Sequence, residues 1–336
     1  MSRLQVGILG CGSFAREHAR VLLELQDQVA LAAVCDRHPE RAAALAQQFT
    51  GGQAAVYTDH HDLIEKAGLD VLIVALPPYG HSDEVELAAQ RGIHLLVEKP
   101  LALDSALAWR MVHAAEAAGV VTQVGFKFRF GAAVEALKRR IESGESGPVG
   151  LFSARYFANA LHSPWWRVRE KSGGQLVEQG IHLLDLARYL MGEAKTVFCR
   201  QENLFHRHIP DYTSEDVSAV VIGFEGGALG VIYVTNGAIP NRWIHDYRLV
   251  ARNLTAEFSG PNQAVIYQTA PSPGSNPEPQ RVESERDVLK AQMLDLIEAI
   301  RSGRPARTPL REGALSLDLA LAAVRSAQTR QEVQLG

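Results

Sequence analysis

Cysteine is scarce in this chain. Cys11, Cys35 and Cys199 are the only three among 336 residues, and none belongs to a CxxC pair or a cysteine–histidine cluster. The count argues against a disulfide framework and for a reducing compartment, and no zinc site is suggested. Neither sign of charge is in excess: 34 basic against 38 acidic side chains leave a net −4. That balance provides no footprint for nucleic acid or an anionic membrane, so the expected partner is a small molecule. Long apolar runs are also missing, and none approaches the ~20 residues that span a bilayer. The stretch Val6-Gly7-Ile8-Leu9-Gly10 is short, broken by glycine and followed by Arg16, Glu17 and His18. It reads as a buried strand rather than a secretory leader. A soluble, cytoplasmic protein is expected.

What is present is ordinary globular composition, 46% apolar and 21% charged. The length exceeds the ~250–300 residues at which one hydrophobic core stops growing, so two domains are expected. Residues 1–122 alternate short runs rich in Val, Ile and Leu (5–9, 29–35, 71–76, 94–97, 120–124) with helical patterns (14–25, 39–49, 59–67, 82–91, 105–118). Uniformly apolar strands alternating with helices imply βαβ units and a doubly wound parallel sheet, an α/β fold. Asp104 or Ser105 caps the last of these helices and Gly119 stops it.

Beyond residue 122 the texture changes. Period-2 stretches at 149–160, 195–205, 216–224, 228–236, 245–252 and 254–268 predict strands, with Glu225-Gly226-Gly227 as a hairpin turn. Helical blocks fall near 130–143, 174–191, 285–302 and 312–332, and residues 270–279 read as a surface loop. Residues 123–336 are thus expected to form an α+β domain with a large mixed, mostly antiparallel sheet. Too few helices follow residue 123 to cover both faces of that sheet. The bare face predicts a homodimer or homotetramer. His60, His61, His206 and His208 read as surface residues.

Gly10-Cys11-Gly12-Ser13-Phe14-Ala15 follows the first strand and opens the first helix, a GxGxxA pattern. Gly10 permits the tight turn and Gly12 lets a pyrophosphate approach the backbone. Ala15 keeps the helix close to the sheet, and the helix N-terminus at Ser13 and Phe14 supplies amides for an anion. Asp36 ends the second strand 21 residues past Ala15, where a carboxylate meets the adenosine ribose hydroxyls. These features mark a Rossmann domain. Asp36 favours NAD, because a 2′-phosphate would face its charge. Arg37 softens that repulsion or stacks on adenine, leaving NADP as the alternative.

Lys99 stands just past a parallel strand, on the edge where doubly wound sheets place ligands. There it is either a substrate-binding group that stabilises alkoxide character or a solvated lysine in a turn that Pro100 ends. Spacing leaves both readings open. Glu178, His182 and Asp185 fall at i, i+4 and i+7 of one predicted helix and share a face. Three uses fit them: a general acid/base at His182, a divalent-metal ligand set, or a structural pair in a packed core. No metal is assigned to the site.

Three further segments make the chain recognisable: Ala75-Leu76-Pro77-Pro78-Tyr79-Gly80-His81, the stretch from Gly92 through the tripeptide Glu98-Lys99-Pro100, and Ser172-Gly173-Gly174 running to His182 and Asp185. With the opening strand they resemble the Gfo/Idh/MocA family (glucose-fructose oxidoreductase, inositol dehydrogenase and relatives) over nearly the whole chain. The resemblance implies hydride transfer between a nicotinamide cofactor and a secondary alcohol of a sugar, cyclitol or sugar derivative. It also implies that Lys99 is catalytic and substrate-binding, that His182 is the acid/base, and that the Lys99–Pro100 peptide is cis. Lys99 would meet His182 across the cleft between the domains. Leu76, Pro77, Pro78, His81, Glu98, Trp166 and Arg167 join the cofactor set, and Arg129, Trp165, Glu178 and Asp185 the substrate set. Inositol-type members carry Asp where Glu178 stands, and relatives often have Asn or Arg at positions 127 and 128, here Lys127 and Phe128. Two other activities known among relatives are redox-neutral glycoside cleavage on bound NAD and non-catalytic NAD sensing. Retention of both Lys99 and His182 argues against the sensor.

Overall fold

The computed structural model describes residues 2–159, 163–269 and 277–336, in two compact units: residues 1–126 with 289–314, and residues 127–288 with 315–336. The first unit runs β1 (Leu4–Leu9), α1 (Ser13–Glu24), β2 (Val29–Cys35), α2 (Pro39–Thr50), β3 (Ala55–Tyr57), α3 (His60–Lys66), β4 (Val71–Val74), α4 (Glu84–Gln90), β5 (His94–Val97), α5 (Ser105–Ala118) and β6 (Thr122–Val124). Its six strands are ordered β3-β2-β1-β4-β5-β6 and paired in parallel, the doubly wound order of dinucleotide-binding domains. Strands β4 and β5 are buried nearly throughout, because helices cover both faces. Asp104 caps α5 by accepting from the Leu107 amide, and Gly119 ends it in the left-handed conformation.

The second unit contains α6 (Ala132–Glu142), β7 (Val149–Phe157), α7 (Arg169–Ser172), a π-helical turn (Leu176–Gly180) continuing into α8 (Ile181–Met191), then β8 (Ala194–Glu202), β9 (Val217–Phe224), β10 (Leu229–Thr235), β11 (Ile244–Ala251), β12 (Leu254–Gly260), β13 (Gln263–Gln268) and β14 (Gln280–Glu283). The chain closes with α9 (Val288–Ser302), α10 (Leu310–Thr329) and β15 (Val333–Gln334). Nine strands form one sheet ordered β14-β13-β12-β11-β7-β10-β9-β8-β15. Only the β7–β10 pair among them is parallel, so the sheet is mixed and mostly antiparallel, as expected.

Several elements depart from the sequence reading. The domain boundary expected at 122/123 falls at 126/127, and residues 289–314 belong to the first unit rather than the second. The reason is packing: Met293, Leu296 and Ile297 of α9 complete the apolar cluster of Val6, Ile8 and Leu22. The single strand expected over 254–268 is two, because Pro261 and Asn262 turn the chain. The short strands β3, β14 and β15 were too brief to read by periodicity. Residues 160–162 and 270–276, parts of an expected strand end and loop, lie outside the described residues. His206 is buried rather than on the surface; it stacks on Tyr212 and its Nδ1 lies 3.0 Å from Asp216.

Candidate active site

In the first unit the turn between β1 and α1 is built for close approach of a ligand. Gly10 has φ +87°, and a Cβ added there would lie 2.7 Å from the Ala75 carbonyl oxygen; only glycine fits. A Cβ at Gly12 would meet no protein atom within 4 Å, leaving room over the N-terminus of α1, which begins at Ser13 and Phe14. Asp36 ends β2 with its carboxylate anchored: Oδ2 accepts from the Cys11 amide at 2.8 Å and Oδ1 from the His38 amide at 2.9 Å. The acid expected to read the ribose therefore also ties the glycine turn to β2. Arg37 beside it is exposed. Burial, with help from Asp36, pushes the Cys11 thiol up to about 12, so it stays protonated and inert at neutral pH.

Beyond β4, Leu76 and Pro77 are half-buried and Pro78 is buried. The His81 side chain is fully buried and bonds Glu84 at 2.6 Å. Burial alone would raise the Glu84 carboxyl, but His81 and the Ser82 amide outweigh it and hold it below its usual range. After β5, the buried Glu98 bonds His18 of α1 at 2.8 Å and accepts from the Lys99 amide at 3.3 Å. A Cβ at Gly125 would stand 2.3 Å from that carboxylate, so three elements hold it in place. His18 was missed in the sequence reading, because its partner lies 80 residues away. Lys99 is half-buried, and the Lys99–Pro100 peptide is cis.

The second unit carries the remaining candidates. The stretch holding Glu178 is a π-helical turn rather than the α-helix expected, and such turns recur at functional sites. Its start is pinned by Glu215, which accepts from the Leu176 amide at 2.8 Å and pairs with Arg169 at 2.6 Å. Burial raises the Glu215 carboxyl, and the Arg169 charge offsets part of that. Gly174, at φ +98°, has no space for a Cβ beside Glu215. His182, on the first turn of α8, is buried and stacks on Phe128 at 4.9 Å between centroids. Phe128 in turn meets His245 edge-on at 4.9 Å. The aromatic series continues through Tyr156, Trp243 and Trp166 to Trp165. Trp165, Trp166 and Arg167 are half-buried. Backbone bonds from Thr213 and Ser214 to the Arg167 carbonyl hold this stretch in place.

Asp185 does not share the fate of Glu178 and His182. Its two carboxylate oxygens accept from Arg129 Nε and Nη2 at 2.9 and 2.6 Å, and Ser316 donates to it at 3.2 Å. Both members of the pair are buried. Arg129 and Asp185 thus satisfy each other's charge inside the second unit. Nor do Glu178, His182 and Asp185 converge as metal ligands; among the described residues that property belongs to Asp59, His60 and His61.

A doubly wound parallel sheet, a glycine turn open above a helix N-terminus and an acid ending β2 define a dinucleotide-binding oxidoreductase. The family models agree with this. The NAD-binding Rossmann fold of an oxidoreductase family matches residues 4–126, and the GFO/IDH/MocA C-terminal domain matches residues 134–260. The chain belongs to the Gfo/Idh/MocA family and binds NAD. It is 28% identical to a myo-inositol 2-dehydrogenase of Thermotoga maritima, over 99% of this chain and 98% of the relative. It superimposes on a levoglucosan dehydrogenase in complex with NADH with a TM-score of 0.92 at 21% identity, covering 100% of both chains. The WlbA dehydrogenase of Bordetella pertussis, in complex with NADH and UDP-GlcNAcA, gives 0.86 at 25% identity, covering 100% of this chain and 99% of the other.

Proposed function

We propose that the protein is a dehydrogenase that oxidises a secondary alcohol of a sugar, cyclitol or sugar derivative, with Lys99 and His182 as its catalytic residues. The observation that carries this reading is a buried histidine, His182, stacked on Phe128 at the head of an aromatic series. A face of aromatic rings suits the C–H faces of a cyclic polyol, and a buried imidazole suits proton removal from its hydroxyl. NAD, when bound, accepts the hydride. Lys99 binds the reacting oxygen and supports its alkoxide character, while His182 takes the proton. Ser13, Phe14, Gly10 and Gly12 hold the pyrophosphate and Asp36 the adenosine ribose. Pro77, Pro78 and the Trp166-Arg167 stretch belong to the nicotinamide end. Glu178 contacts substrate hydroxyls. The test is a panel of sugars, cyclitols and sugar acids with NAD and NADP, followed at the NAD(P)H absorbance band. Net NADH accumulation supports dehydrogenation; turnover without it would point to redox-neutral cleavage instead.

Asp36 is the cofactor selector in this scheme. Asp36→Ser should raise the NADP/NAD ratio of kcat/KM severalfold and also weaken NAD, because two backbone amides lose their acceptor. A wild type that already prefers NADP would contradict the assignment.

Among the described residues, one face of the nine-stranded sheet carries exposed apolar side chains. Phe198, Val221, Val231, Leu151 and Val250 are exposed there, and Tyr233 beside them. Register places Val221 opposite Phe198 on one side and Val231 on the other, and Leu229 opposite Leu151. We place a second copy of the chain on this face, giving a cytoplasmic homodimer or homotetramer. Sedimentation should return at least twice the 36.7 kDa chain mass, and Val231→Asp should reduce it to one chain. A monomeric wild type at micromolar concentration rules the assembly out.

A further inference from the structure

We propose that Asp59, His60, His61 and Asp83 form a binding site for a borderline divalent transition cation such as Zn2+, at the end of β3 in the first unit. His60 Nε2 lies 2.8 Å from one oxygen of the Asp83 carboxylate and His61 Nε2 lies 3.2 Å from the other. The edges of a tetrahedron with 2.0–2.1 Å bonds are about 3.3 Å long, so each imidazole stands at a near-ligand separation from that carboxylate. Their rings lie 4.1 Å apart and are tilted by 37°, which turns both Nε2 atoms to the same carboxylate.

Two further features single the cluster out from ordinary surface ion pairs. The first is an orienting carboxylate. Asp59 Oδ1 lies 3.2 Å from His61 Nδ1 and accepts from the His61 amide at 2.7 Å. Donation of Nδ1–H to this oxygen leaves Nε2 as the ligand atom for a metal, the carboxylate–histidine arrangement of metal sites. The second is Asp83 itself. It is the N-cap of α4, where an aspartate ordinarily accepts from the next amides, yet its side chain makes no capping bond. The carboxylate is turned to the two imidazoles instead. Two imidazoles and a carboxylate with open positions suit Zn2+, Ni2+ or Co2+ rather than Mg2+ or Ca2+. Ligand atoms of Asp59, His60 and His61 lie within 4.8 Å of one another, so the orienting carboxylate stands beside both imidazoles. Bound there, the cation ties the segment after β3 to the segment before α4.

The experiment is a titration of tag-free, chelator-stripped full-length protein with Zn2+ alone by calorimetry, with Co2+ in parallel, whose absorption bands report tetrahedral ligation. Wild type should take up one equivalent per chain and gain thermal stability with zinc. His60→Ala and His61→Ala should each weaken binding at least about tenfold, and Asp59→Asn, which removes the orienting charge but keeps an acceptor for the helix cap, by about 10–100-fold. His182→Ala should retain the equivalent, which separates this site from the histidine in the second unit. NAD(H) binding by the Asp59, His60 and His61 variants should be unchanged without zinc, which shows that they fold. Equal uptake by wild type and the His60→Ala/His61→Ala double variant, or no uptake by wild type at millimolar zinc, overturns the proposal and leaves surface ion pairs.

Discussion

Replacing His182 with alanine is expected to reduce turnover by about 10²–10⁴-fold, the usual loss for a general acid/base, while NAD(H) affinity changes little. The pyrophosphate and ribose anchors proposed above, Gly12 and Asp36, belong to a different unit of the chain from His182, so the adenosine end of the cofactor is expected to bind independently of the imidazole. Buried against Phe128, the imidazole has a fixed ring plane, which general-base transfer at ~3 Å requires. The pH profile of kcat/KM should lose one limb in the variant. Lys99→Ala should behave differently: turnover falls and KM rises together, because in the proposed scheme the ammonium binds substrate in the ground state as well. A His182→Ala enzyme within a few-fold of wild type would remove the acid/base assignment. A Lys99→Ala enzyme with unchanged KM would remove the binding role of the lysine.

The second large effect is on stability. Asp185→Ala leaves the Arg129 guanidinium buried opposite an alanine, where two charge-assisted bonds stood. Removing one partner of a buried pair costs about 3–5 kcal/mol, a large share of the 5–15 kcal/mol that holds a typical protein folded. Urea unfolding should show the midpoint falling steeply. Replacing both residues at once, Arg129→Met with Asp185→Leu, should restore much of the loss, since no uncompensated charge remains. If Asp185→Ala unfolds like wild type but raises KM, the pair serves substrate and not structure.

The cofactor class was legible in the chain because its signals are local. Gly10, Gly12 and Asp36 are recognised by spacing along a βαβ unit, and the structure adds the reason for one of them: a Cβ at Gly10 would strike the Ala75 carbonyl. The substrate side was less legible because its meaning is non-local. Glu178, His182 and Asp185 looked equivalent on a 3.6-residue wheel. The π-helical turn at Leu176–Gly180 shifts that wheel, and Arg129, 56 residues away, claims the aspartate. Phe128 looked like a departure from a family pattern, and its stacking on His182 appears only once the chain is folded. Glu215 and His18 gave no signal, since each acts on a partner far off in sequence.

Alternation of short apolar strands with helices, the GxGxxA turn and the period-2 stretches after residue 122 were enough to determine two units, their sheets and the cofactor class. Those features arise from backbone geometry and burial, which neighbours a few residues apart encode. Tertiary structure alone decided that α9 packs with the first unit, that Asp185 neutralises Arg129, and that His60 and His61 share one carboxylate. Each of these depends on apolar area, charge or ligand geometry supplied by a distant segment. A charged group declares its role only when the residue that compensates it has come into contact.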